Sequence, residues 1–500
     1  MINRTSLKKF LPIFLIWVIG LFLRCYRQSY LLPFYYDQGR DAKMAADIIA
    51  LKNFPAIGPT TGINGLYLGP IWYYLITPGY YFSQGSPVIA SYFIAFIESL
   101  TIPLIYYLVK KYWRQDTAYL AAILWAFSHY LIRSSRWFSN PSPLPTMVLL
   151  LMILLIKIFK DKKYHYLPWV ALVLGISLQL EAASAIFFIP IILALFILNF
   201  SSLKKFTLIT WIKSVFAFGF LLLPQLAFEI KNKFLISRNF IGFLTGRVNS
   251  DTGKSWAFPT SSFLLNRLVA YYNAFFSKLD TNVTKLSLIF LLIFLIGILI
   301  LFLKKRNDIF IKLQLSWLFI PLFILLFFVG NYGNLYDYYL TGFYPAFIIL
   351  FAVIITLSKN KILYYLLTTL YLVYFINGNY IPLKNYLNAG IDGPQNITYG
   401  NEIMAVDYAC KMNSQLPGNY DVYVPPVIAH AYEYLFQWRQ SKHLCPQFIS
   451  ERNSNLYIIY EVDPPHPERL NNWFDKYKQD KLIHEEFFGG VRVKQILRKS

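Results

Sequence analysis

Long apolar runs separated by short polar stretches dominate the first three quarters of the chain. Arg4, Lys8 and Lys9 precede an apolar run from Phe10 to Leu23, which has the pattern of an uncleaved signal anchor. Similar runs predict ten further membrane spans, at about 87–108, 117–132, 143–159, 167–181, 184–200, 209–229, 285–303, 312–330, 339–357 and 361–377. The pattern therefore predicts an all-α polytopic membrane protein with about eleven transmembrane helices.

The short loops between these spans alternate between basic and weakly charged. The basic loops contain Lys110, Lys111, Arg114, Lys157, Lys160, Lys162, Lys163, Lys204, Lys205, Lys304, Lys305, Arg306, Lys359 and Lys361. By the positive-inside rule these loops share the cytoplasmic side with the N-terminus. Three longer segments are then predicted to lie outside the cytoplasm: 26–86, 230–284 and the residues after 378.

The chain changes character after residue 378, where charge and proline become more frequent and apolar runs become short. Residues 1–378 are therefore predicted to form one membrane domain and residues 379–500 a small extracytoplasmic α/β domain. The predicted elements are a helix near 400–414, a strand at 420–424, a helix at 427–438, a strand at 456–460, a helix at 467–478 and a closing hairpin that turns at Gly489 and Gly490. Cys410 and Cys445 could pair there in an oxidising compartment.

Composition agrees with a membrane protein. Of the 500 residues, 56% are hydrophobic, 19% are aromatic and only 14% are charged, which is more apolar surface than a soluble core absorbs. The formal charge of +22 is spread over short clusters between apolar runs, so topology explains it better than nucleic-acid binding. Membrane lipid, and no nucleic acid, is the expected partner.

Several familiar motifs are absent from the sequence. It contains no H-E-x-x-H, no G-x-G-x-x-G and no D-x-D pair, and its six histidines are scattered. Gly253, Lys254 and Ser255 mimic the end of a P-loop, but Val248 stands where the first glycine belongs. A soluble nucleotide is therefore not an expected substrate, and residue spacing predicts no metal site.

The first long loop holds the strongest candidates for chemistry. Asp37, Arg40 and Asp41 run into an amphipathic pattern at 41–53 that predicts an interfacial helix, and an aromatic stretch at 67–81 is suited to membrane re-entry. Charges this close to a membrane are costly unless they face water, a partner charge or a substrate. Asp37 and Asp41 are accordingly candidate catalytic residues and Arg40 a candidate binding residue. Capping of the following helix by either acid is an equally good explanation.

Other polar residues fall on the same predicted side. Arg133 and Arg136 break the positive-inside pattern, which an anionic ligand would explain, as would snorkelling to lipid headgroups. Glu181 ends the fifth span, where a buried acid is more often functional or paired than idle. Three residues ahead of Pro345 complete the candidate binding set, although an aromatic belt would also place tyrosines there: Tyr336, Asp337 and Tyr338.

This layout resembles the GT-C superfamily of membrane glycosyltransferases. The similar features are Asp37 in a first outer loop after one span, an interfacial helix behind it, Arg133 to Pro141 before the fourth span, and the tyrosines before Pro345. They cover roughly 8–378 and are most similar to the branch of protein mannosyltransferases and lipid A aminoarabinose transferases. Members of that branch often carry a second acid directly after the aspartate, whereas Gln38 follows here.

The resemblance implies transfer of a sugar from a polyprenyl phosphate to a lipid, glycan or protein acceptor on the extracytoplasmic face, with inversion at the anomeric carbon and Asp37 as base. It leaves open whether a divalent metal is needed. Arg133, Arg136 and Arg40 have the charge to hold a lipid phosphate. A lipid-linked glycan transporter or flippase and a non-catalytic membrane scaffold remain alternatives, although a transporter would more often show internal repeats.

Overall fold

The computed structural model describes residues 4–63, 65–245, 256–280, 285–330, 333–425 and 428–499. The helices of the first half are α1 (Arg4–Cys25), α2 (Gln28–Leu31), α3 (Tyr36–Ile49), α4 (Ile71–Phe82), α5 (Pro87–Ser99), α6 (Thr101–Tyr112), α7 (Gln115–Phe127), α8 (His129–Ser135), α9 (Leu144–Phe159), α10 (Leu167–Leu180), α11 (Ala182–Ala185), α12 (Phe188–Leu198) and α13 (Leu208–Lys231). The remaining helices before the tail are α14 (Leu235–Leu244), α15 (Ser261–Phe276), α16 (Lys285–Lys305), α17 (Ile309–Leu325), α18 (Tyr344–Ile355) and α19 (Lys361–Leu387).

The predicted all-α membrane fold is confirmed, and each of the eleven predicted spans contains a helix. Within the described residues, four segments are long and apolar enough to cross a membrane on their own: Phe10–Leu31, Pro87–Tyr112, Leu208–Lys231 and Leu286–Lys305. Shorter apolar helices of 10–17 residues fill most of the other predicted spans. The chain is therefore a multi-pass membrane protein in which several spans are shorter than a full bilayer crossing.

The centre of the membrane region is the helix α18, in which every residue from Tyr344 to Ile355 is buried. It packs against α7, α16 and α17. The helix α13 is the opposite case, because Ser214 and Glu229 are its buried residues and its apolar side chains face outward. An apolar helix that is exposed in the folded chain is the surface that lipid tails cover.

The predicted interfacial helix of the first loop is α3, and the aromatic stretch that follows is centred on α4. The two helices pack together. The start of α3 is fixed by Gln38, whose Oε1 accepts a hydrogen bond from the backbone N–H of Tyr35 at 3.0 Å. The Gln38 Nε2 donates to the carbonyl of Phe138 at 3.1 Å, which ties α3 to the segment after α8.

The tail folds as the sequence predicts. Its elements are α20 (Tyr399–Gln415), β1 (Asn419–Tyr423), α21 (His430–Ser441), β2 (Asn455–Glu461), α22 (Pro467–Phe474), β3 (Lys481–Phe488) and β4 (Val491–Leu497). The sheet has the order β1-β2-β4-β3, with β1 parallel to β2 and the other pairs antiparallel. Cys410 and Cys445 are joined by a disulfide bond.

The tail packs on the first loop through an ion pair and a hydrogen bond from α21. Lys43 of α3 pairs with Glu433 of α21 at 2.5 Å. The Tyr434 hydroxyl donates to the carbonyl of Gly85 at 2.7 Å, just before α5. Since helix α21 thus contacts both α3 and the α4–α5 turn, the tail helps to fix the position of α3.

Two buried acids lie in the tail beside this contact. Glu402 is fully buried, and neither of its carboxylate oxygens has a hydrogen-bond partner among the described residues. Burial and the nearby charge of Glu461 hold the pKa of Glu402 well above its usual range. Burial also raises the pKa of Glu461 to about 7, although Tyr432 donates to it. Both carboxyls therefore bind protons more tightly in the folded chain than in the unfolded chain.

A pH-dependent stability follows from these raised pKa values. The contribution of this carboxyl pair to stability should be fully present at low pH and should be lost as pH rises through about 7, where Glu461 ionises beside Glu402. Glu402→Gln removes one ionisation and should raise the melting temperature at pH 8 by an amount that corresponds to about 1–2 kcal/mol. Thermal melts of the full chain in detergent at pH 5.5 and pH 8 test this, with the exposed Glu451→Gln as control. Parallel pH profiles for the wild type and Glu402→Gln would contradict it.

Candidate active site at helix α3

Helix α3 carries a three-residue charge network on its first two turns. The Arg40 guanidinium donates to Asp41 through Nε at 2.9 Å and Nη2 at 2.7 Å, and Nη1 pairs with Asp37 at 2.8 Å. The two acids differ in exposure, because 57% of the Asp37 side chain is accessible and only 2% of the Asp41 side chain is. One arginine thus holds one accessible carboxylate and one buried carboxylate.

The structure also bears on the helix-capping explanation. Gln38 supplies the capping hydrogen bond at the start of α3, and the Asp37 carboxylate is held by Arg40 instead. The position after Asp37 needs a side chain that both accepts and donates, since Gln38 accepts from Tyr35 and donates to Phe138. A carboxylate cannot make the second bond, which is a physical reason for the absence of an acid at this position.

The structure places Asp41 beneath the surface, where it lines neither of the cavities described below. Its Oδ2 accepts a 2.6 Å hydrogen bond from the Trp72 indole. Burial raises the pKa of Asp41 to about 6, against the stabilising charge of Arg40 and the hydrogen bond from Trp72. Asp41 therefore holds the Arg40 guanidinium in place by accepting two hydrogen bonds from it, while Asp37 is the acid that a ligand can reach.

Asp37 and Arg40 open into a cavity of about 410 Å³, which we term the Asp37 chamber. Glu181 lines the same chamber. Its carboxylate accepts a 3.2 Å hydrogen bond from the Asn140 amide and a 3.1 Å bond from the backbone N–H of Ala183. The structure therefore brings the predicted residues Asp37, Arg40 and Glu181 together, although they lie on α3 and at the end of α10.

A second cavity, of about 440 Å³, lies beside the first and is termed the Arg133 chamber. Arg133 is exposed at its edge and forms no ion pair with any residue that the structure describes. Asp337 and Tyr338 also line this chamber. The two chambers share a wall, since four residues line both: Trp137, Ser139, Pro141 and Tyr338.

Arg136 is not part of either chamber. It is 1% exposed, and its Nη1 donates to the carbonyls of Leu23 at 3.0 Å and Tyr26 at 2.7 Å, at the end of α1. Its Nε donates to the Tyr386 hydroxyl at 3.2 Å. The last carbonyls of a helix lack intrahelical partners, so Arg136 satisfies groups that would otherwise be buried and unpaired. The structure thus separates the two predicted cations: Arg133 faces a chamber and Arg136 secures α1.

Sequence analysis did not identify Lys278, which stands behind Asp337. Its side chain is fully buried, and its Nζ pairs with Asp337 at 2.8 Å and lies 3.2 Å from the centre of the Tyr130 ring. Burial lowers the pKa of Lys278 to about 8, while Asp337 opposes the shift. Lys278 lies in a polar segment between α15 and α16, and nothing in the sequence links it to Asp337.

The remaining predicted residue, Tyr336, is 49% exposed and lines neither chamber; its ring stacks on Tyr338 at 5.6 Å. In the part of the chain that the structure describes, no group of three or more His, Cys, Asp or Glu side chains could hold a metal ion. The P-loop-like Gly253, Lys254 and Ser255 lie outside the described residues.

The different environments of the two cations predict different effects on stability. Arg136→Ala removes several charge-assisted hydrogen bonds and leaves buried carbonyls unpaired, which should cost about 2–4 kcal/mol. Arg133→Ala removes an exposed side chain that has no ion-pair partner among the described residues, and it should leave the melting temperature nearly unchanged. Thermal melts of both purified variants in detergent test this. Equal stability of Arg136→Ala and the wild type would contradict the role given to Arg136.

Comparison with known proteins agrees with this fold. Residues 69–228 match the family model described as dolichyl-phosphate-mannose-protein mannosyltransferase. The structure of ArnT from Cupriavidus metallidurans bound to undecaprenyl phosphate aligns with a TM-score of 0.59 and 10% identity, over 99% of this chain and 98% of that one. The apo ArnT structure from the same organism aligns with a TM-score of 0.60 and 8% identity, over 98% of each chain.

No curated protein sequence matches the chain. The family match begins after Asp37 and ends within α13, and it includes Arg133 and Glu181. The structural match extends over nearly the whole chain, including the tail. The chain thus shares the fold of the ArnT structures, and over residues 69–228 it is similar to the mannosyltransferase family, in agreement with the resemblance to GT-C glycosyltransferases of the mannosyltransferase and ArnT type.

Proposed function

We propose that the chain is a glycosyltransferase that moves a sugar from a polyprenyl phosphate to a lipid, glycan or protein acceptor, with inversion at the anomeric carbon. The observation that carries this is the pair of adjacent chambers, one with the accessible Asp37 carboxylate and the other with Arg133, which pairs with no described carboxylate. In this reaction an acceptor must lose a proton while a phosphate departs with negative charge, so a base and a cation are needed on two sides of one space.

The Arg133 chamber suits the departing lipid phosphate. Its lining includes the apolar residues Trp125, Leu131 and Pro145 from the helices of the membrane region, which suits the apolar part of a lipid next to its phosphate. Asp337 would repel a phosphate, but Lys278 balances its charge at 2.8 Å. The charge that remains for the phosphate is therefore that of Arg133. The undecaprenyl phosphate bound to the similar ArnT structure supports a polyprenyl carrier.

The Asp37 chamber suits the acceptor. Asp37 accepts the acceptor's proton while the freed lone pair attacks the anomeric carbon on the face opposite the phosphate. The bond between that carbon and the phosphate oxygen breaks, and the oxygen keeps the electron pair beside Arg133. Arg40 orients the Asp37 carboxylate, while Glu181 in the Asp37 chamber and Tyr338 on the shared wall are suited to contact sugar hydroxyls.

The orientation of the chain in the membrane is part of the proposal. We place the N-terminus in the cytoplasm, residues 1–378 as the catalytic membrane domain, and 379–500 as an extracytoplasmic domain. The alternation of basic loops supports this arrangement. The contact between Lys43 and Glu433 supports the placement of the first loop and the tail on the same side.

Cysteine labelling tests the orientation. In a Cys25→Ser background, Lys52→Cys and Ser450→Cys should both react with a membrane-impermeant maleimide in intact cells, because both positions are exposed in segments placed outside. Lys305→Cys, in a basic loop, should react only after permeabilisation. Labelling of Lys305→Cys alone in intact cells would reverse the orientation and with it the site of the reaction.

Asp37→Asn tests the catalytic assignment. The substitution keeps the size of the side chain and removes the basic carboxylate, so sugar transfer from a polyprenyl-phosphate donor should fall by about 100- to 10,000-fold while the melting temperature changes little. Asp47→Asn is the matched control, because it makes the same charge change on the same helix and should keep activity. Asp41→Asn should mainly lower stability, since Asp41 is buried against Arg40 and Trp72.

The same assay tests the phosphate site. Arg133→Ala should raise the donor KM by about tenfold or more, because a lost charge-assisted contact costs about 1.5–3 kcal/mol.

Full activity of Asp37→Asn would contradict the assignment of Asp37 as the catalytic base. If the wild type transfers no sugar from any polyprenyl-phosphate donor, the result would favour a transporter or a non-catalytic scaffold over a glycosyltransferase.

A further inference from the structure

The tail contains a groove that the proposed reaction does not use. It has a volume of about 630 Å³ and lies between β1, α21 and the segment at 447–452; we term it the Tyr420 groove. The residues that matter for its chemistry are Tyr420, Phe436, Gln437, Gln440, Gln447 and Arg452. They combine an aromatic floor with a rim of amides and a cation.

The floor is a cluster of three aromatic rings. Tyr420 lies 4.6 Å from Phe436 and 4.8 Å from Phe448, and those two rings are 5.2 Å apart, measured between centroids. Phe436 is buried, whereas Tyr420 remains 37% exposed. The two phenylalanines therefore hold the Tyr420 ring in a fixed position at the surface. The negative face of such a ring attracts the weakly positive C–H groups on the apolar face of a sugar.

The rim consists of three glutamines whose side chains are free. Gln437, Gln440 and Gln447 form no side-chain hydrogen bond with any residue in the described ranges, and all three line the groove. An amide presents donors and an acceptor together, which matches the vicinal hydroxyls of a sugar. Few other ligand classes offer both an apolar face and a dense set of hydroxyls to one small groove.

The charge of the groove also bears on which ligands it can bind. Arg452 and Arg498 line it, and neither forms an ion pair with a described carboxylate. The one acid that lines it, Asp421, already pairs with Lys476 at 2.6 Å. The groove thus presents free positive charge, which suits a neutral glycan or one that carries acidic groups.

A peptide that adds a strand to the sheet is a poorer match. β1 is an edge strand, but its beginning is covered by the segment that follows residue 448. The Asn419 amide donates to the carbonyls of Ile449 at 2.6 Å and Glu451 at 2.7 Å. The backbone N–H of Ile449 also donates to Gly418 at 2.9 Å. These contacts obstruct the edge where an added strand would start.

Helix α21 links the groove to α3. Glu433, Gln437 and Gln440 are spaced by four and three residues and therefore lie on one face of the helix. Glu433 pairs with Lys43 of α3, the helix that carries Asp37. At 1.5 Å of rise per residue, Gln440 lies roughly 10 Å along α21 from that contact.

We propose that the Tyr420 groove is a carbohydrate-binding site that holds an oligosaccharide chain against the tail. This binding goes beyond the proposed transfer reaction and does not require it, because the groove is separate from both chambers. Its position along α21 is suited to a glycan whose far end extends toward α3.

The full-length protein in detergent is tested on a glycan array that displays neutral and uronic-acid-bearing oligosaccharides, with no lipid donor present. Glycans that bind are then titrated in solution. Tyr420→Ala should lower the affinity by about tenfold, while Tyr420→Phe keeps the ring and most of the binding. Gln437→Ala combined with Gln440→Ala should weaken binding severalfold, and Gln415→Ala, an exposed amide outside the groove, should have no effect. Arg452→Ala should weaken only the acidic glycans.

Two results would overturn the assignment. One is the absence of any glycan that binds the wild type more strongly than it binds Tyr420→Ala. The other is binding of unstructured peptides, but not glycans, that is lost in Tyr420→Ala, which would make the groove a peptide site. Both readouts are equilibrium binding, so a failure of the transfer assay would leave them unaffected.

Discussion

The buried ion pair between Arg24 and Glu98 is the interaction on which the membrane region depends. Arg24 is fully buried, its Nε contacts the Glu98 carboxylate at 2.6 Å, and its remaining nitrogens donate to carbonyls of Gly20, Trp125 and Ala126. Removal of either partner would leave an uncompensated charge in a low-dielectric region, at a cost of about 3–5 kcal/mol. The pair therefore fixes α1 against α5 and α7. Because Glu98 and Trp125 also line the Arg133 chamber, the same pair sets one wall of the candidate site.

The candidate site also contains an arginine that pairs with a buried acid, but there the arginine pairs with an accessible acid as well. Arg40 stands between Asp37 and Asp41, so the network carries one more negative than positive charge when both acids are ionised. The buried acid is satisfied by Trp72 and Arg40, which leaves the surplus charge on the accessible one. A carboxylate that is oriented by an arginine yet open to a chamber is suited to accept a proton from a ligand.

Much of the fold follows from local sequence pattern. Each span predicted from an apolar run contains a helix, and turn glycines and alternation located the strands of the tail, because these signals lie within a few residues of each other. Asp37, Arg40 and Asp41 were found as candidate site residues for the same reason, because they lie within five positions of one another. The pairing of Lys278 with Asp337 and the use of Arg136 by α1 were not, since each joins residues that are far apart in the chain. Sequence alone also could not separate Arg133 from Arg136, which differ in environment and not in residue type.

The sequence divides into a membrane region and a tail, but the candidate site depends on contacts from both. A Cβ atom at Gly39 would lie 2.2 Å from the backbone nitrogen of Ala431 and 2.3 Å from the carbonyl carbon of His430, so α3 and the start of α21 approach at backbone distance. Glycine is unfavourable within a helix by about 1 kcal/mol relative to alanine, and this close approach is a physical reason for it here. Gly39 lies between Gln38, which binds the segment after α8, and Arg40, which holds Asp37. The position of Asp37 is therefore set from both sides, by the membrane helices and by the tail.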